Sequence, residues 1–135
     1  MADPSLVEPK ISASRQLVKH LTDVGAPLLA AYWELESEKD YWVLLLVPKS
    51  KSDERKLVDE ASRILIEQPY RSTFSLSDVV VDGSKIERAR ALGAYVRSPQ
   101  DIGRQFHTTF TGGQYFEGVI VMYIAPELAK KHHAA

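Results

Sequence analysis

The sequence predicts a single α+β domain in which a mixed, mainly antiparallel sheet of five strands is covered by three helices. Two pairs of apolar runs, each joined by a short polar or glycine-containing link, predict two β-hairpins. Three segments with apolar residues at helical spacing predict the helices. The predicted order is α-β-β-α-β-α-β-β in a domain of residues 12–125, between a loose lead-in of residues 1–11 and a tail of residues 126–135.

The first predicted helix begins after Ser12 or Ser14, either of which can cap it, and ends at Gly25. Pro27 prevents further helix and opens the first strand. The stripe predicted to face inward consists of Leu17, Val18, Leu21 and Val24.

The first hairpin spans residues 28–47, with a polar link at residues 37–40. Pairing its arms across this link puts both tryptophans on one face through the pairs Leu35 with Trp42, Trp33 with Leu44 and Ala31 with Leu46. The second arm is apolar on both faces, which predicts a strand inside the sheet.

A second helix is predicted after Pro48, with Ser50 or Ser52 as its cap and Pro69 beyond its end. Its inward stripe is Leu57, Val58, Ala61, Ile64 and Leu65. Three consecutive valines at positions 79–81 then predict a short buried strand. The turn at residues 82–84 caps a third helix over residues 85–97, whose inward residues are Ile86, Ala89, Leu92, Gly93 and Val96.

The last hairpin pairs residues 104–110 with residues 114–124 around a Gly-Gly turn. Its predicted pairs are Phe110 with Tyr115, Thr108 with Glu117, His107 with Gly118 and Phe106 with Val119. The second strand is again apolar on both faces, so we expect it to be internal. Helices on both faces of the sheet would make three layers, and helices on one face would make two.

The composition limits the classes of function. The 17 basic and 18 acidic residues nearly cancel, which argues against a nucleic-acid partner, and there is no cysteine for thiolate catalysis or disulfides. No apolar run approaches the roughly 20 residues that cross a membrane, and no signal peptide is recognisable. We therefore expect a cytoplasmic protein without a membrane partner.

Sequence motifs for phosphate-binding loops, dinucleotide binding, zinc proteases and serine hydrolases are missing. The four histidines are not surrounded by carboxylates, and we expect neither a metal site nor a cofactor.

Two candidate sites remain. His107 opposite Gly118 leaves space beside an imidazole, which predicts a ligand-binding site with Arg104, Gln105 and Thr109 nearby. Glu34 is the candidate acid of a metal-dependent hydrolase or nuclease, although an apolar residue stands where the second acid is needed.

The aromatic residues are numerous for a small core, and aromatic side chains are enriched at protein interfaces. Trp33, Tyr41 and Trp42 are the candidate interface residues of a homo-oligomer or a complex with another protein.

The segments AAYWELES, DYWVLLLVPKSKSDE, LSDVVVDGSKIERARAL and FHTTFTGGQYFEGVIVMYI together resemble a group of small uncharacterised bacterial proteins. In that group an aromatic hairpin precedes a helix and a second hairpin closes the domain. The resemblance implies a bacterial cytoplasmic protein and carries no activity.

These observations favour a non-catalytic binding or protein-interaction module that associates with itself. The alternative hypothesis is a metal-dependent hydrolase with a degenerate carboxylate site on the first hairpin.

Overall fold

The computed structural model describes residues 8–36, 41–67, 78–96, 102–103, 105–111 and 113–128. Short 3-10 turns at Lys51–Asp53 and Gly83–Lys85 precede the second and third helices, and a fourth helix begins at residue 126. The other elements are α1 (Glu8–Asp23), β1 (Leu28–Glu36), β2 (Tyr41–Pro48), α2 (Glu54–Glu67), β3 (Val79–Val81), α3 (Ile86–Tyr95), β4 (Gln105–Thr111) and β5 (Gln114–Ile124).

The strands lie in the order β3-β2-β1-β5-β4. Strand β1 is central and antiparallel to both β2 and β5, and β5 is antiparallel to β4. Strand β3 pairs with β2 in parallel, and α2 supplies the long connection that a parallel pair requires. Both strands predicted to be internal, β2 and β5, have neighbours on each side.

The predicted fold class needs correction. Four long strands form the body of the sheet, and Val79–Val81 adds only a three-residue parallel segment at its edge. Within the described ranges there are four α-helices, because residues 126–128, predicted as part of a tail, are helical and bury Leu128. The five-stranded, mainly antiparallel sheet with three helices is thus replaced by a mixed sheet of four long strands, extended by one short segment, with four helices.

The predicted registers of the two hairpins are confirmed. Strand β1 pairs with β2 as expected at Leu35 with Trp42, Trp33 with Leu44 and Ala31 with Leu46. Strand β4 pairs with β5 as expected at Phe110 with Tyr115, His107 with Gly118 and Phe106 with Val119. The alternation of side chains on a strand therefore fixed which residues share a face.

The core consists of two layers, one on each face of the sheet. Helices α1 and α2 cover the face that holds both tryptophans, and α3 with Leu128 covers the face that holds Tyr32 and Phe116. The domain therefore has three layers, with helices on both faces of the sheet, and not two. None of the helices within the described ranges combines the length and the apolar character needed to span a bilayer.

Helix α1 begins earlier than predicted, at Glu8, so Ser14 lies inside it and does not cap it. The buried hydroxyl of Ser14 donates to the carbonyl oxygen of Ile11 at 2.8 Å and accepts from the indole of Trp33 at 3.0 Å. The helix ends as predicted, because Gly25 adopts a φ of 72° that favours glycine.

Three valines that we expected to be buried are exposed. Val24 follows the last residue of α1 and is 52% exposed, and Val58 lies at the edge of the apolar stripe of α2 and is 39% exposed. Val80 is 39% exposed because β3 is an edge strand and not a buried one. The remaining residues predicted to face inward from α1 and α2 are buried.

Candidate functional site

A cleft of about 490 Å³ opens on the α3 face of the sheet. Both hairpin turns lie at one end of the sheet because β1 and β5 are antiparallel. Helix α3 has only ten residues, and the cleft lies between its first turn and this hairpin end. Its lining includes Leu35, Val43, Leu45 and Val80 among apolar residues, and Glu34, Tyr41, Asp82, Lys85, Arg88, Tyr115 and Glu117 among polar ones.

Arg88 joins the cleft to the core. Its guanidinium donates a hydrogen bond to the carboxylate of Glu34, and the two side chains are only 20% and 17% exposed. The same guanidinium lies 4.1 Å from the centre of the Phe116 ring and donates to Gln114 at 3.4 Å. Contacts with a carboxylate, an amide and an aromatic face hold the planar group in one orientation.

Tyr32 lies below this ion pair in the core, in an edge-to-face contact with Phe116 at 6.4 Å. Its hydroxyl is buried and has no hydrogen-bond partner within the described residues, and the same holds for Nε of Arg88. Burial raises the pKa of Tyr32 well above its ordinary value, and the negative charge of Glu34 raises it further against the opposing effect of Arg88. The phenol is therefore neutral at physiological pH.

The 3-10 turn at Gly83–Lys85, which leads directly into α3, is held by a side-chain cap. The carboxylate of Asp82 accepts the backbone N–H of Ser84 at 2.9 Å and its hydroxyl at 2.6 Å. The hydrogen bond from the Ser84 side chain is the main reason why the pKa of Asp82 is lowered. A second contact ties this turn to α2, because Gly83 donates its N–H to Glu54 at 2.7 Å. Lys85 and Arg88 are thus presented from a fixed turn.

The mouth of the cleft is aromatic and apolar. Among the described residues, six large hydrophobic side chains are exposed, and three of them line this cleft: Tyr41, Val80 and Tyr115. Tyr41 and Tyr115 have 41% and 50% of their surface exposed. Exposed apolar surface gathered around one concavity is typical of a binding site.

The ligand site predicted around His107 stays a prediction, and the space beside its partner Gly118 is partly filled by core side chains. Gly118 is paired with His107, but a methyl group on Gly118 would lie 3.3 Å from Trp42 Cη2 and 3.4 Å from Leu35 Cβ. The glycine therefore makes room for a tryptophan of the core. Gln105 opens β4, whereas Arg104 and the side chains of His107 and Thr109 lie outside the described residues.

Glu34, the candidate acid of the hydrolase hypothesis, does line the cleft. A metal-dependent mechanism needs Glu34 to bind a metal ion together with a second acid. The carboxylate of Glu34 instead forms an ion pair with the guanidinium of Arg88. In the described ranges, no group of three or more histidine, aspartate or glutamate side chains is placed to hold a metal ion. The geometry gives this alternative no additional support.

Two of the three candidate interface residues belong to the core. Trp33 is fully buried and Trp42 is 7% exposed, because both lie under α1 and α2. Only Tyr41 offers surface to another molecule, and it does so at the cleft. Packing in the core therefore accounts for both tryptophans, and the homo-oligomer stays a prediction.

The sequence analysis missed Lys85, Arg88 and Tyr115. One signal was present, because Glu34 follows a run of apolar residues in β1, and a partly buried acid requires a cationic or hydrogen-bonding partner. The sequence offers 17 basic residues and does not say which of them comes close to Glu34. Arg88 and Glu34 are fifty-four positions apart in the sequence. They form an ion pair because α3 packs close to β1.

Comparison of this chain with protein-family models, with curated proteins and with solved structures gave no match.

Proposed function

We propose that this chain is a non-catalytic binding module that holds a small organic ligand in the cleft between the first turn of α3 and the two hairpins. The observation that carries the proposal is the gathering of exposed Tyr41, Val80 and Tyr115 around a single cleft whose wall contains the Arg88–Glu34 ion pair. A volume of about 490 Å³ is within the usual range for small-molecule sites.

The construction of the wall supports binding. Arg88 and Asp82 have their polar contacts inside the protein, so the cleft keeps its shape without a ligand. A preformed site avoids the cost of ordering side chains when a ligand binds.

The same contacts argue against catalysis. An enzyme needs a nucleophile or a base beside an acid or an electrophile, with one of them free to react. Here the carboxylate of Glu34 faces Arg88 and that of Asp82 faces Ser84, and the third carboxylate, Glu117, has no histidine or serine beside it among the described lining residues. We therefore interpret the charged groups as elements that orient a ligand.

Two-dimensional NMR of the ¹⁵N-labelled protein tests the proposal. The protein is titrated with cationic, neutral and anionic fragments, and the amides that shift are mapped onto the fold. We expect at least one class to shift the amides of Tyr41 and Tyr115 in a saturable way.

A matched pair of variants locates the site. Val80→Arg places a bulky charged side chain in the cleft, and Val58→Arg makes the same change on α2, where valine has the same 39% exposure. We expect Val80→Arg to abolish the shifts and Val58→Arg to retain them. Saturable shifts elsewhere on the surface, or none with any class, would overturn the proposal.

A further inference from the structure

We infer that the group recognised in this cleft is an organic ammonium ion, held by the rings of Tyr41 and Tyr115 and by the carboxylate of Glu117. The inference rests on the proposed function and adds the chemical class of the ligand. It follows from the charges of the lining, the exposure of the aromatic rings and the register of the strands.

The charges of the lining leave one acid over. Arg88 is paired with Glu34. Asp82 and Lys85 also line the cleft and carry opposite charges, so the described lining holds three acids and two bases. Glu117 lines the same cleft, is exposed, and forms no ion pair with any residue in the described part of the chain. The lining thus carries a residual negative charge.

This distribution of charge disfavours an anionic ligand. An anion bound at Arg88 would have to compete with Glu34, and it would be repelled by Glu117. A cation meets the opposite situation, because Glu117 attracts it and the acids of the described lining outnumber its two basic groups.

The aromatic rings favour the same class. The faces of tyrosine rings attract cations through their quadrupole, and quaternary ammonium groups are recognised in this way. Tyr41 and Tyr115 are exposed on 41% and 50% of their surface and both line the cleft. Exposed tyrosine rings beside an acid form a suitable site for an ammonium group.

The strand order brings these groups to one cleft. Tyr115 and Glu117 are two residues apart on β5, and both line the cleft. Tyr41 begins β2 opposite Glu36 of β1, and β1 separates β2 from β5. The backbones of the two ligand-binding strands are therefore about 10 Å apart, which leaves room for a methylated ammonium between their side chains.

Three ligands of equal shape test the inference. Choline carries a trimethylammonium group, 3,3-dimethylbutan-1-ol replaces it with a neutral tert-butyl group, and 3,3-dimethylbutanoate is the anion of matching size. The dissociation constants are measured by NMR titration at low and at high salt. We expect choline to bind about tenfold tighter than the neutral alcohol, with a preference that falls as salt is added.

Variants assign the recognition to residues. We expect Glu117→Gln to weaken choline binding about threefold and leave the neutral alcohol unchanged. Tyr115→Leu is expected to reduce the preference for choline about fivefold, and Tyr115→Phe to retain it because the ring remains. Asp59→Asn removes one negative charge from the exposed surface of α2 and serves as the control.

The outcomes separate the two claims. If the alcohol or the butanoate shifts the amides of the cleft as strongly as choline does, the ammonium inference is overturned and the binding module stands. If none of the three ligands and no fragment shifts these amides, both claims are overturned. If Asp59→Asn weakens choline binding as much as Glu117→Gln does, the preference for choline depends only on the net charge of the protein, and the inference is also overturned.

Discussion

The indole N–H of Trp33 donates a buried hydrogen bond of 3.0 Å to the hydroxyl of Ser14, which joins the central strand to α1. Both residues have no exposed surface. The hydroxyl in turn donates to the carbonyl oxygens of Lys10 and Ile11 at 2.9 and 2.8 Å. A serine inside this helix therefore supplies the partner that a buried indole needs.

Ser14→Ala should lower the free energy of unfolding by about 1–3 kcal/mol, because the buried N–H of Trp33 loses its acceptor. Ser12→Ala is the control, since Ser12 lies on the exposed side of the same helix and the substitution changes helix propensity equally. Urea denaturation followed by tryptophan fluorescence measures both. Equal stability of the two variants would show that the hydrogen bond contributes nothing.

Gly118→Ala should destabilise the fold by about 1–3 kcal/mol, because the added methyl group comes within 3.3 Å of Trp42 Cη2 and 3.4 Å of Leu35 Cβ. The cost should be smaller in a Trp42→Phe background, where the outer part of the indole is gone. A double-mutant cycle from thermal or urea denaturation measures this coupling. If the effects of the two substitutions on stability are additive, the methyl group on Gly118 does not clash with Trp42.

Ser84→Ala should raise the pKa of Asp82 towards the ordinary value of 3.8, because the side-chain hydrogen bond of Ser84 is the main cause of the lowered pKa. A pKa that is lower in the folded than in the unfolded protein contributes stability above pH 3.8, and this contribution is lost as the pH falls through the folded value. The stability difference between the protein and the variant should therefore shrink in acid.

Carbon-13 NMR titration of the Asp82 carboxyl measures this pKa directly. Ser62→Ala, at an exposed position of α2, is the control and should leave the titration unchanged. An unchanged Asp82 titration in Ser84→Ala would contradict the cap as the cause.

Tyr32→Phe should raise the free energy of unfolding by roughly 1 kcal/mol at neutral pH, because it removes a buried hydroxyl that has no partner among the described residues. Tyr115→Phe is the control, since that side chain is 50% exposed and should have no such effect. Chemical denaturation measures both variants. A loss of stability in Tyr32→Phe would mean that the hydroxyl has a favourable contact, with Arg88 as the nearest candidate.

The dependence of stability on pH above pH 10 gives a second test of the burial of Tyr32. Burial raises its pKa, so above pH 10 the unfolded chain releases a proton that the folded protein keeps, and stability falls with rising pH. The expected slope is about 1.4 kcal/mol per pH unit for this one group. The slope should be shallower by this amount in Tyr32→Phe, and an identical slope would exclude Tyr32 as its source.

The two hairpins and their registers could be read from the sequence because they depend on local information. Alternation of apolar and polar residues, a polar link and a glycine turn fix which residues pair and which share a face. The ends of the helices were less certain, since Ser14 has the residue type of a cap and α1 begins six residues before it.

The sequence by itself thus determined the order of the main elements, the pairing within each hairpin and the internal position of β2 and β5. Only the tertiary structure decided that helices cover both faces, that β3 is an exposed edge and that Leu128 belongs to the core. It also decided that Arg88 meets Glu34, that Ser14 meets Trp33 and that Trp42 fills the space beside Gly118. These contacts join residues distant along the chain, and their geometry depends on how whole helices pack on the sheet, which no local pattern encodes.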